Sequence, residues 1–201
     1  MDQSTTDTEP VTRQLRVPHH LQAMSSFDRV DYVDSFMVRV PDPRRWPAER
    51  WARLVLTEAP PELRARLIAG WLALGLKLSR RPGSILGWTV RIGTPDYVLL
   101  GAGSRVGMPA ELLFKREARG VRFCTFVAHD NAVARGMWAA TEPVHERVVL
   151  SLLRSARQRC DQPDSDVCSP SAEDAAKRTV KNVASSPAVV PGRDEVPADR
   201  E

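Results

Sequence analysis

The chain reads as an α+β domain in which a curved antiparallel sheet wraps around a long C-terminal helix, with two short helices after the first strand. Three observations carry this reading. Late in the chain, Val144, Val148, Val149, Leu152, Leu153 and Ala156 recur at helical spacing, opposite Glu146, Arg147, Ser151, Arg154 and Ser155. Before that helix lies a run of segments with a period of two, punctuated by Gly-Thr-Pro-Asp, Arg-Gly and Asp-Asn turns. Between the first strand and that run, two apolar stretches with helical periodicity are set off by Pro47 and by Pro60-Pro61.

In order along the chain, Tyr32 to Val40 alternates in part and is expected as the first strand, closed by Pro41-Asp-Pro43. Pro47 opens a helix over Ala48 to Thr57, with Trp51, Leu54 and Val55 on one side. A second helix starts at Glu62 and carries Leu63, Leu67, Ile68, Trp71 and Leu72; Gly75 and Pro82-Gly83 end that region. Leu86, Trp88, Val90 and Ile92 then alternate as a strand, and Tyr97 to Gly103 forms another with apolar or small residues on both faces. The next pair is Glu111 to Ala118 and Val121 to His129. A two-residue turn at Arg119-Gly120 places Leu112, Phe114 and Arg116 on one face with Phe123, Thr125 and Val127, and Cys124 on the other. Asp130-Asn131 turns into a last strand, Ala132 to Ala140, with Ala134, Gly136 and Trp138 inward for a two-residue turn and outward for a turn one residue longer, and the helix follows over 143–158.

The chain has 201 residues and is 42% hydrophobic, enough for one domain with a core. The division expected is a flexible arm over 1–27, a folded domain over 28–159 and a disordered acidic tail over 160–201. Residues 15–21 of the arm are placed loosely on the domain, and the tail is rich in Pro, Ser and charge without periodicity. The net charge is +4, yet from Cys160 onward there are 5 basic and 9 acidic residues, leaving 24 and 16 before it. The arginines are spread over nearly every element, so nucleic acid is not an expected partner. No apolar run reaches the roughly 20 residues of a membrane span. The first ten residues lack a basic start and an apolar stretch, and the three cysteines suggest no disulfide framework, so the expected location is cytoplasmic.

The order of elements resembles the helix-grip fold of the START-related and polyketide-cyclase-like (SRPBCC) superfamily. More narrowly, the chain resembles an uncharacterised bacterial family of that superfamily, a domain of unknown function. Asp31-Tyr32 and Asp34-Ser-Phe36 match its first strand, Asp96-Tyr-Val-Leu-Leu-Gly101 a middle strand, and Asn131, Arg135 and His145 the approach to its last helix. Ala134 stands where that family tends to have Gly, and Met137 where it tends to have Tyr. The resemblance covers about 30–157 and implies a cavity between sheet and helix without implying a reaction.

The function expected is binding of a small hydrophobic or amphiphilic molecule in that cavity. Candidate binding residues are Trp71, Trp88, Leu112, Phe114, Arg116, Phe123, Thr125, Trp138, His145, Val149 and Leu152. Arg116 is read either as a guanidinium for an anionic head group or as a rim arginine with its stem on the aromatic face. His145 is placed in the first turn of the last helix, where the dipole disfavours the imidazolium. His129 beside Asp130 and Asn131 is read as part of a turn. No cofactor motif and no metal-ligand spacing is present, and Cys124 has no base in view. The alternative is a cyclase, hydratase or hydrolase acting on an apolar carbonyl compound, for which the expected concave strands carry no carboxylate. A third class is an interaction module that uses the basic body.

Overall fold

In the computed structural model, residues 9–161 are described. The elements run β1 (Val11–Arg13), α1 (His19–Gln22), β2 (Tyr32–Arg39), α2 (Ala48–Leu56), α3 (Pro61–Ala73), β3 (Leu76–Lys77), β4 (Thr89–Gly93), β5 (Tyr97–Ser104), β6 (Ala110–Glu117), β7 (Gly120–Val127) and α4 (Ala132–Cys160). The seven strands form one antiparallel sheet in the order β1-β2-β7-β6-β5-β3, with β4 also paired to β5. The architecture is thus α+β, a curved antiparallel sheet with a long C-terminal helix.

Strand alternation sorts the sheet into two apolar faces. Phe36, Val38, Leu100, Leu112, Phe114, Phe123 and Val127 pack with the buried sides of α2 and α4 and with Leu67 of α3. Leu99, Leu113, Cys124 and Phe126 point the other way and pack with Leu21, Val17, Met24 and Phe27. Cys124 is therefore opposite the helices, and burial pushes its thiol up to about 12.

That second face corrects the expected arm. Residues 9–27 are built into the domain: β1 adds to the edge of β2, and the segment around α1 covers the back of the sheet. Glu111, fully buried on β6, receives hydrogen bonds from the Ser25 hydroxyl (2.6 Å), the Ser26 N–H (2.9 Å) and the Ser26 hydroxyl, and Arg91 approaches it to 3.3 Å. A carboxylate in that position needs such donors, and they come from the arm. Arg91 reaches Glu111 across Gly101, where a Cβ would lie 1.8 Å from the guanidinium Nε. The rest of the expected tail, beyond residue 161 and including Cys168, lies outside the described residues.

Three expectations for the elements are corrected. Residues 132–140 are the first turns of α4 and not a strand. Asn131, in extended backbone, caps the helix by accepting from the Ala134 N–H at 2.9 Å, and the Ala-rich segment that follows favours helix. Ala134 and Trp138, separated by four, are buried on one helix face. Pro143 lies inside this helix, and His145 is well past its first turn. The second correction is at 86–88, where Leu86 (φ 46°) and Gly87 (φ 88°) form a tight turn closed by the Ile85–Trp88 bridge. The strand begins at Thr89, and a register shift between Val90 and Ile92 leaves Ile92 exposed. The third is the hairpin loop, which is Ala118-Arg119. Pairing moves by two positions, so Phe114 opposes Phe123 and Leu112 opposes Thr125, and every residue keeps its expected face.

Gly120 begins β7 where the main chain of β2 passes close by: a Cβ there would lie 2.1 Å from the Val38 carbonyl oxygen. Gly136 is exposed on α4 with nothing within 4 Å of such a Cβ. Gly120→Ala is expected to lower stability by about 1–3 kcal/mol, since backbone cannot give way. Gly136→Ala is expected to raise it by about 0.5–1 kcal/mol through helix propensity. Chemical denaturation of the two variants beside the parent checks both signs.

Candidate functional site

Asp34 sits on β2 in phase with Phe36 and Val38, so the alternation aims a carboxylate into the helix-facing side of the sheet. It is 2% exposed. Its Oδ1 accepts from the backbone N–H of Thr125 on β7 at 3.0 Å. Its Oδ2 accepts from the Tyr32 hydroxyl at 3.1 Å and faces Nε2 of His145 at 2.9 Å. Facing a carboxylate, Nε2 is the donor, so in the neutral ring the lone pair is on Nδ1. No described residue bonds Nδ1. Burial, and then the neighbouring Asp34 charge, push the Tyr32 phenol well above its usual range.

Aromatic rings close round this pair. Trp138 lies 5.1 Å from the His145 ring and 4.6 Å from Tyr32, and Tyr32 meets His145 edge-on at 6.0 Å. Trp138 Nε1 and Thr125 Oγ1 are buried without a hydrogen-bond partner. His129 is held by its main chain, its N–H donating to Asp31 at 2.7 Å and its carbonyl accepting from Arg29. That bond, with Arg29 beside it, keeps the Asp31 carboxyl below the usual range. His129 thus belongs to the junction of β7 with the start of β2.

The His145 ring forms part of the wall of a cavity of about 430 Å³ between α3, α4 and the sheet. Leu67 and Trp71 come from α3 and Leu74 from its C-cap, Leu56 from α2, Val148, Val149 and Leu152 from α4, and Leu112 and Phe123 from the sheet. Thr141, Val144, Gly70 and Arg66 complete one side, where Val144 and Arg66 are exposed. The Thr141 hydroxyl is already committed to the Met137 carbonyl at 2.8 Å.

Of the residues singled out from the sequence, Trp71, Leu112, Phe123, His145, Val149 and Leu152 come together on this cavity. Trp88 is buried one layer behind, its ring edge-on to Trp71 at 5.3 Å. Phe114 meets Phe123 edge-on at 5.1 Å, deeper under α2 and α4. Thr125 and Trp138 support the Asp34–His145 pair. Arg116 is elsewhere: its guanidinium donates to Asp96 at 2.6 Å and to the Trp46 carbonyl at 3.3 Å, tying the hairpin end to the segment before α2. His145, well inside α4, is far from its expected place at the helix N-terminus, and its ring is set by Asp34 instead of by the helix dipole. The expectation that the concave strands carry no carboxylate is also corrected, because β2 supplies one. A charged residue in step with Phe36 and Val38 was the available signal.

Among the described residues no group of three or more His, Cys, Asp or Glu could hold a metal ion, and no helix is long and apolar enough to cross a membrane. Comparison with protein-family models, with curated proteins and with solved structures finds no match for this chain.

Asp34→Asn removes the charge beside Tyr32 and leaves its burial, so the Tyr32 phenol is expected to ionise at a lower pH than in the parent while staying above an exposed phenol. Alkaline ultraviolet titration of the two proteins measures this. An unchanged Tyr32 titration would show that the carboxylate and the phenol are not in contact.

Proposed function

We propose that this chain is a helix-grip protein of the START-like kind that binds a small hydrophobic or amphiphilic molecule between its sheet and its helices. The observation that carries this reading is a cavity with mainly apolar walls in which the His145 ring, backed by buried Asp34, is held as an oriented polar feature. Its volume of about 430 Å³ lies in the range of small-molecule sites, roughly 300–1,000 Å³. Each apolar group taken into such walls contributes about 25 cal/mol per Å² of surface removed from water. The imidazole provides one oriented polar contact for a head group. Arg66, at the exposed side, suits a ligand that also carries negative charge. The resemblance of the Asp-Tyr and Asp-Ser-Phe strand to the helix-grip family points the same way.

Gly70 offers the cleanest test, because it lines the cavity from an exposed helical position where a Cβ would meet nothing within 4 Å. Gly70→Phe is expected to fill the opening and weaken binding of a neutral polarity-sensitive dye such as Nile red by about tenfold or more, a loss of at least ~1.4 kcal/mol. The melting temperature is expected to hold. Native mass spectrometry of the parent is expected to show a co-purifying small molecule that the variant loses. Equal dye affinity in the two proteins would remove the cavity as the binding site.

A further inference from the structure

We propose that the cavity is also an active site, in which His145 is a general base and the protein moves a proton on the carbon next to a carbonyl in an apolar ketone or ester. This rests on the cavity reading above and goes beyond it, since a binding protein needs no oriented base. Three observations carry it. Asp34, buried and held by the Thr125 N–H and the Tyr32 hydroxyl, takes the Nε2 proton of His145 as a hydrogen bond and so orients the ring. The other nitrogen, Nδ1, is engaged by no described residue, and the ring that bears it lines the cavity. Apart from His145 the cavity wall holds no carboxylate, serine or cysteine, and its one hydroxyl, on Thr141, already donates to the Met137 carbonyl.

That inventory selects the chemistry. The wall offers no serine, no cysteine and no free hydroxyl that His145 could activate as the nucleophile of a serine- or cysteine-type acyl-enzyme. With one proton carrier it can complete a reaction in which the same nitrogen takes a proton and returns it. Nδ1 takes the proton from the α-carbon; the C–H electron pair becomes the new carbon–carbon double bond, and the carbonyl π pair moves onto oxygen as the enolate. The imidazolium then returns a proton to the same carbon, or to the far carbon of a conjugated system with a shift of the double bond. Nothing is oxidised or reduced and no group leaves. Asp34 remains a carboxylate beside the transient imidazolium, so the pair gains no net charge beyond the proton it carries.

In this scheme His145 is the catalytic residue and Asp34 a positioning residue. The probe is β-tetralone, an apolar ketone with acidic α-hydrogens, dissolved with the full chain in deuterated buffer and followed by proton NMR for loss of the α-methylene signals. Exchange is expected to be saturable and about 10²- to 10⁴-fold faster than with His145→Phe. His145→Gly, with free imidazole added, is expected to recover part of the rate, and Asp34→Asn to lower the maximal rate while leaving half-saturation in place. Displacement of Nile red by β-tetralone, read in the same samples, establishes that each variant is folded and occupied. Displacement without exchange, or exchange equal in the parent and His145→Phe, overturns the catalytic proposal and leaves the binding reading standing. If β-tetralone displaces no dye from the parent and shows no exchange, the proposal falls for this substrate class.

Discussion

The carboxylate of Asp34 is a charge held in an almost dry place, and the arrangement round it follows from that cost. A buried carboxylate is tolerated only when its oxygens are met by donors. Here the donors come from three directions: its own strand through Tyr32, the neighbouring strand through the Thr125 N–H, and α4 through His145. The Thr125 bond joins two residues that are already partners in the β2–β7 ladder, so one group serves both the sheet register and the seating of the helix. Moving α4 by a turn would take the imidazole from the carboxylate and leave the charge with one donor fewer. The position of the helix, and with it the cavity, is thus tied to an interaction that is expensive to break.

What could be read from the residues depended on whether one periodicity had a rival. The strand at 32–40, the helices after Pro47 and Pro60, and the 111–129 hairpin each carry a pattern that only one element satisfies, and each forms. Residues 132–140 do not. Ala134 and Trp138 lie on one face of a strand and equally on one face of a helix, and the Asn131 cap together with the helix-forming residues decided the matter. The hairpin loop was displaced by one residue, yet the faces survived because the pairing moved by two.

The arm and Asp34 were harder to read for a different reason. Val11 and Leu21 lie in a stretch without sustained periodicity, and their partners come from far along the chain: Val11 pairs with Val38 and joins the helix-facing core, while Leu21 packs on the back of the sheet, assembled from residues 99, 113, 124 and 126. The same holds for Glu111, whose burial makes sense only once Ser25 and Ser26 arrive from far along the chain. Asp34 shares a face with Phe36, but its partner His145 is 111 positions away, and no local pattern links them. Six of the expected cavity residues did converge, because apolar spacing on α3, α4 and the hairpin is local information.

Of the helices on the front of the sheet, α3 is secured least. Leu67 is its one buried residue, Leu72 is 55% exposed, and Gly70 lies in its last turn. An element with so little apolar surface withdrawn from water opens at a free energy well below that of global unfolding. The chain therefore separates two properties that a tightly sealed core would merge. Persistence of the fold rests on the sheet, α2 and α4, whereas how often the interior is visited by solvent, and on the proposed binding function the residence time of a guest, follow the breathing of one loosely held helix. Stabilising the protein elsewhere would leave that clock unchanged.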